Sequence, residues 1–201
     1  SSSNTKVLSA KQGKVLGDAV AALETESIKK KAYFFDTVAD MKAANLKDGD
    51  YACTLGYYSA NDGGAAEYKI VNSTENYKET LNNNLYAELV IKDKIKVDQF
   101  GAKGDNSTDD YNAIQSCITY AYNKKLVTEF SMKTYKISDT LKLYTNCVYN
   151  GNNCTIIQTS DVPVMANLKY FDKTQTGYHV VINDFYLEGN KNNSNNDGLI
   201  L

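Results

Sequence analysis

Val97-Asp-Gln-Phe-Gly-Ala-Lys-Gly-Asp-Asn-Ser-Thr-Asp-Asp-Tyr-Asn-Ala-Ile-Gln115 is the stretch on which the fold turns. Gly101 and Gly104 permit tight backbone turns. Asp105 follows them and can hold the loop through side-chain-to-backbone hydrogen bonds. Thr108 reads as the N-cap of a helix, with Asp109 and Asp110 in the first turn, where carboxylates favour the macrodipole. The predicted helix runs from Asp109 to about Lys124. Ile114, Cys117, Ile118 and Ala121 share one face; Asn112, Gln115 and Thr119 share the other. An acid–base dyad is the alternative reading of Asp109 and Asp110, but capping accounts for both without chemistry.

Beyond Lys125 the pattern changes to short apolar segments separated by Asn/Gly turns. Strands are predicted at Leu126–Phe130, Tyr135–Ile137, Leu141–Tyr144, Cys147–Tyr149, Cys154–Gln158, Val180–Ile182, Phe185–Leu187 and Leu199–Leu201. Such brief strands with no helices between them predict a solenoid. Asn150, Asn152, Asn153 and Asp184 are the candidate corner residues, because Asn and Asp tolerate the left-handed region. A β-sandwich is the rival reading.

Two other patterns precede the signature. From Ser9 to Lys30, Leu16, Val20 and Leu23 form a narrow apolar stripe weakened by Gly13 and Gly17. A short parallel coiled coil would bury that stripe, as would packing of an ordinary amphipathic helix on its own domain. From Tyr33 to Lys92 a small α+β module is predicted. It has a helix over Thr37–Asn45 capped by Asp36 or Thr37, a strand over Tyr51–Leu55, a turn at Asn61–Gly64, and strands over Ala66–Val71 and Leu85–Ile91. Asp62, Gly63 and Gly64 lack a following Lys-Ser/Thr and helix, so they read as a hairpin turn rather than a phosphate loop.

The bulk composition narrows the partners. The 201 residues carry a net charge of -2, so no electrostatic case exists for nucleic acid or anionic membrane. No apolar run approaches the roughly 18 residues of a membrane span, and the start lacks a secretory apolar region. Four cysteines without CxxC spacing and a single His argue against a metal, and no cofactor is expected. The thiols are expected to be free and partly buried, with a Cys147–Cys154 bridge as the lesser reading. Free thiols suit assembly in a reducing cytoplasm.

The stretch from Val97 to Gln115 resembles the opening signature of the pectate-lyase-like superfamily of right-handed parallel β-helices. Thr134–Ser138, Gly151–Ile156 and Phe185–Asn190 resemble its first coils. That superfamily includes many phage tail spikes and polysaccharide-degrading enzymes. Ser3–Leu16 resembles a segment common in phage tail fibres and spikes, and Phe35–Lys42 with Tyr51–Tyr58 and Asp62–Gly64 resembles a small module that often precedes such β-helices. The resemblance implies a mainly β chain with a trimeric helical stem (1–32), a small α+β anchor module (33–94) and a helix-capped β-helix (95–201). In that frame Phe100 is expected to pack under the cap, and the helix to lie across the open end of the first coil.

Functionally the resemblance implies a virion tail component. Its partners would be its own copies in a homotrimer, phage tail or baseplate proteins, and a host surface glycan met by downstream coils. The alternative is the non-catalytic leading part of a surface-polysaccharide lyase or hydrolase; a secreted pectate-lyase relative is a third reading. Glu129, Asp139, Asp161, Asp172, Glu188 and Asp197 are the carboxylates a catalytic site could draw on, but none forms a recognisable pair. His179, before an apolar strand, reads as a strand-edge residue rather than a base. Gly198–Leu201 stops within an apolar strand, so the chain is expected to continue.

Overall fold

The computed structural model describes residues 14–16, 18, 32–73, 79–168, 179–190 and 198–200. Lys14 to Leu16 and Asp18 are helical, and Val15 and Leu16 are exposed. The remainder of the stem stripe, Val20 and Leu23, lies outside the described residues, as do Asp172 and Asp197.

The chain is mainly β. Its first sheet has five strands in the order β1-β2-β3-β5-β4: β1 Ala32–Phe35, β2 Tyr51–Thr54, β3 Ala66–Val71, β4 Glu79–Thr80 and β5 Tyr86–Leu89. β1 and β2 are parallel and the other pairs antiparallel. Alternation drives this sheet. Ala52, Tyr68, Ile70, Ala87 and Leu89 turn inward, while Glu67 and Lys69 stay outside. Helix α1 (Val38–Ala43) buries Val38 and Met41 in the same core. Thr37 caps it: Thr37 Oγ1 accepts from the Asp40 amide, and the Asp40 carboxylate accepts from the Thr37 amide.

Among the described residues, every strand pair from Lys94 onward is parallel. Four successive turns of chain stack: β6 (Lys94–Lys96) with β7 (Asp105–Asp109); β8 (Val127–Glu129), β9 (Thr134–Ile137) and β10 (Leu141–Leu143); β11 (Cys147–Gln158) and β12 (Met165–Asn167); β13 (Val180–Glu188) and β14 (Leu199–Ile200). Register keeps like positions above one another. Tyr135, Ile156 and Leu187 form one ladder, and Leu141 and Met165 begin another. These parallel ladders exclude the sandwich of antiparallel sheets.

Two pairs of predicted short strands are each one longer strand. Cys147–Tyr149 and Cys154–Gln158 join as β11, which bends at a register shift between Asn150 and Cys154. Val180–Ile182 and Phe185–Leu187 join as β13. The corners survive inside them: Asn152, Asn153 and Asp184 have positive φ, and Asn146 shares that conformation, whereas Asn150 is extended within the strand. Cys53, Cys117, Cys147 and Cys154 are all free thiols, so no bridge joins Cys147 to Cys154. Burial pushes the Cys154 thiol up to about 12.

Helix α2 spans Tyr111–Lys124 and buries Ile114, Cys117, Ile118 and Ala121. It packs against the 3-10 turn Val97–Phe100 and against β6, β8 and β10. Gln115 ties it to β10, donating to the Lys142 carbonyl and accepting from the Lys142 amide at 3.3 and 2.8 Å.

Candidate functional site

The signature loop joins the first sheet to the coil. Gly101 ends the 3-10 turn in the left-handed region at φ 88°, and its Cα faces the Tyr57 ring so closely that a Cβ would stand 2.8 Å from Cε1. Gly104, at φ 61°, lies against Lys133 and Tyr135 in the same way. Phe100 is buried and meets Tyr120 of α2 edge-on at 5.5 Å.

The acidic residues of the signature are structural acceptors. Asp105 receives the amides of Ser107 and Thr108 and the Thr108 hydroxyl, which hold its carboxyl below the usual range. Asp109 receives the Tyr111 and Ser138 amides and the Ser138 hydroxyl, joining loop to β9's end. Asp110 is buried and receives the amides of Lys103 and Gly104 at 2.7 and 3.0 Å. Burial pushes its carboxyl up, against the pull of those amides.

One expectation fails here. The helix starts at Tyr111, its N-cap position is Asp110, and Thr108 lies in β7. Thr108 does not cap because it lies in β7 ahead of the N-cap position, where its amide and hydroxyl donate to Asp105. Asp110 makes no capping bond to its own helix because its carboxylate faces back to the loop.

The densest polar cluster was not foreseen. Asp98, 1 % exposed, receives the Ser131 hydroxyl at 2.8 Å, the Tyr135 hydroxyl at 3.3 Å and the Lys133 ammonium. The same ammonium donates to the Asp62 carbonyl at 2.7 Å. Asp62 in turn gathers the amides of Tyr57, Tyr58, Ser59 and Gly64. Burial would raise its carboxyl, but those four amides prevail and lower it. Tyr58 donates to the Gly101 carbonyl at 3.1 Å, and Gln99 to the Ala65 carbonyl at 3.0 Å. The hairpin turn Asn61–Gly64 is thus fastened to the first two turns of the coil.

Each carboxylate of this cluster is held by three or more donors from the surrounding loops and strands. The other carboxylates are dispersed. Glu129 pairs with Lys94 at 2.7 Å, and Asp139 accepts from the Thr140 amide. Asp161 and Glu188 lie on separate segments, and His179 offers its carbonyl to the Asn146 amide before β13. Among the described residues no group of His, Cys, Asp or Glu is placed to hold a metal. No helix among them is long and apolar enough to cross a membrane.

With this geometry in view, the relationships become specific. Residues 94–197 match the family described as rhamnogalacturonase A/epimerase, pectate lyase-like, and the chain belongs to that family. It is similar to the pre-neck appendage protein of Bacillus phage B103, 29 % identical over 140 residues that cover 62 % of this chain and 16 % of that protein. Such a share exceeds the length from residue 94 to the end, so the similarity reaches into the first sheet's side of the joint. The chain spans about one sixth of that relative's length.

Solved structures agree on the fold. The Acinetobacter phage vB_ApiP_P1 tailspike protein superposes with TM-score 0.62 at 15 % identity, covering 83 % of this chain and 31 % of that one. Tailspike protein 2 from Escherichia coli O157:H7 bacteriophage CAB120 gives 0.59 at 17 %, covering 83 % and 23 %. Pantoea stewartii WceF, a glycan biofilm modifying enzyme with a tailspike-like parallel β-helix, gives 0.59 at 16 %, covering 83 % and 27 %. The chain is therefore a tailspike-like, appendage-like protein with a parallel β-helix.

Proposed function

We propose that this chain is the leading region of a phage tail appendage. Residues 1–32 form a trimeric coiled-coil stem through Leu16, Val20 and Leu23. Residues 33–94 form the anchor module that meets tail or baseplate proteins, and residues 95–201 begin a right-handed β-helix lidded by α2. The whole protein assembles in the host cytoplasm, sits in the virion tail and presents later coils to a host surface glycan. The observation that carries this reading is the similarity to a phage pre-neck appendage protein, which extends to residues before 94. The apolar face of α2 supports the lid, because a first coil without cover would expose core side chains and strand edges.

Size-exclusion chromatography with light scattering on the full-length protein should give a trimer; a clean monomer would refute the stem. A second reading, a surface-polysaccharide lyase or hydrolase, is favoured by the family to which residues 94–197 belong. In that case this segment supports catalysis on other coils. Release of reducing ends or unsaturated sugars from host capsule by the full-length protein would establish it.

A further inference from the structure

Asp98 and Lys133 meet where the first sheet is fastened to the coil. Asp98 lies in the 3-10 turn Val97–Phe100 of the first turn of chain, and Lys133 stands at the corner between β8 and β9 in the second. The carboxylate is 1 % exposed, and the lysine side chain reaches it from the rim at 26 % exposure. The two carboxylate oxygens are used differently. Oδ2 accepts from the Ser131 hydroxyl at 2.8 Å and from the Tyr135 hydroxyl at 3.3 Å. Among the described residues, Oδ1 meets only the Lys133 ammonium.

The surroundings hold the two groups as reactants are held. The Ser131 amide donates to the Tyr135 oxygen at 3.2 Å, which leaves the Tyr135 proton to point at Oδ2. Burial first, and then the Asp98 charge, push the Tyr135 hydroxyl well above its ordinary range, so it stays a donor. The Asp62 carbonyl accepts from the same ammonium at 2.7 Å and fixes its direction. Gly63, at φ 101°, roofs the pair: a Cβ there would stand 3.1 Å from Asp98 Oδ1 and 3.4 Å from Lys133 Nζ. A buried ion pair loses hydration that mutual attraction only partly restores, which brings the neutral amine and acid within reach. A lysine amine so freed of its proton is a nucleophile.

We propose that Lys133 and Asp98 condense into an intramolecular amide, a lysine–aspartate cross-link between the first two turns of the coil. One ammonium proton passes from Nζ to Oδ1, leaving an amine beside a carboxylic acid. Nζ attacks Cγ and forms the C–N bond, and the negative charge that develops on Oδ2 meets the Ser131 and Tyr135 hydroxyls. A second proton passes from nitrogen to Oδ1, the Cγ–Oδ1 bond breaks and water leaves. The step consumes one positive and one negative charge, releases one water and needs no oxidant, cofactor or second substrate. Holding amine and acid in contact supplies the effective concentration that the free groups lack. The ion pair at the joint is the reactant of this step. The cross-link goes beyond the attachment reading and does not rest on it.

Peptide mapping tests it. The full-length protein is purified in its native state, denatured, digested with trypsin and read by tandem mass spectrometry. The expected product joins residues 97–103 to residues 126–136, one water lighter than the two peptides together, with no cleavage after Lys133. Lys133→Arg keeps a cation beside Asp98 but offers no amine, so it should release residues 97–103 as a separate peptide at its full mass. Recovery of residues 97–103 and 126–133 from the unaltered protein with no joined species overturns the proposal. So does a loss of water confined to a single peptide, as cyclisation at Asp62-Gly63 would give, or a joined species that persists in Lys133→Arg. The products are read in the same way from a monomer or a trimer, so failure here leaves the attachment reading standing, and a monomer that carries the cross-link refutes the stem alone.

Discussion

The first sheet and the coil solve the same problem, burying one face of short strands, by different means. In the first sheet, antiparallel neighbours are close in sequence: Tyr51–Thr54 pairs with Ala66–Val71 across the loop 55–65, which contains the Asn61–Gly64 turn. In the coil, each strand's partner lies a full turn of chain away, as Cys147 with Val180 or Thr134 with Thr155. No local turn can set such a register. It is set by inward ladders such as Tyr135–Ile156–Leu187 and by corners at Asn152, Asn153 and Asp184. The lesson is that hairpins carry their register locally, while coils borrow it from the turn beneath.

The largest expected effect tests that borrowing. Phe130, in the second turn, is 1 % exposed and packs edge-on against Tyr135 of the same turn at 5.6 Å and against Phe185 of the fourth turn at 5.0 Å. Phe130→Ala should destabilise the chain by about 3–5 kcal/mol in denaturant titration. A loss below about 1 kcal/mol would show that the turns do not depend on this contact.

Next comes the fastening between the regions. Lys133→Met keeps most of the stem that packs on Gly104 but leaves the Asp98 carboxylate buried without its cation. A loss of about 3 kcal/mol is expected, partly recovered when Asp98→Asn is added. Additive losses in the double-mutant cycle would mean that the two groups act independently.

Inside the first sheet the effects are smaller. Thr37→Ala removes the acceptor for the Asp40 amide and should cost about 1 kcal/mol by the same measurement. Asp62 has a lowered carboxyl in the fold, so its contribution is present above the unfolded carboxylate range and is lost as pH falls through the folded value. Asp62→Asn should therefore flatten the acid side of the stability profile while leaving α2 helicity unchanged by circular dichroism at neutral pH. Smallest of all, a reductant should leave the melting temperature unchanged, because all four thiols are free. In the native state thiol reagent should reach Cys53 and Cys147 before the buried Cys117 and Cys154.

The amino-acid order alone determined the helix face Ile114, Cys117, Ile118 and Ala121, a cap at Asp36 or Thr37 that the structure resolves as Thr37, the turn at Asn61–Gly64 and most of the corners. These depend on periodicity and on the conformational preferences of single residues, which act over a few positions. Only the tertiary structure decided which carboxylate meets which amide at the start of α2, and that Lys133 bridges Asp98 and the Asp62 carbonyl. Strands such as β1, β4, β7 and β12 were missed for a related reason: each is short and is defined by a partner strand more than by its own pattern. Contacts between residues far apart in the chain leave no local trace, so the joint comes into being only when the coils stack.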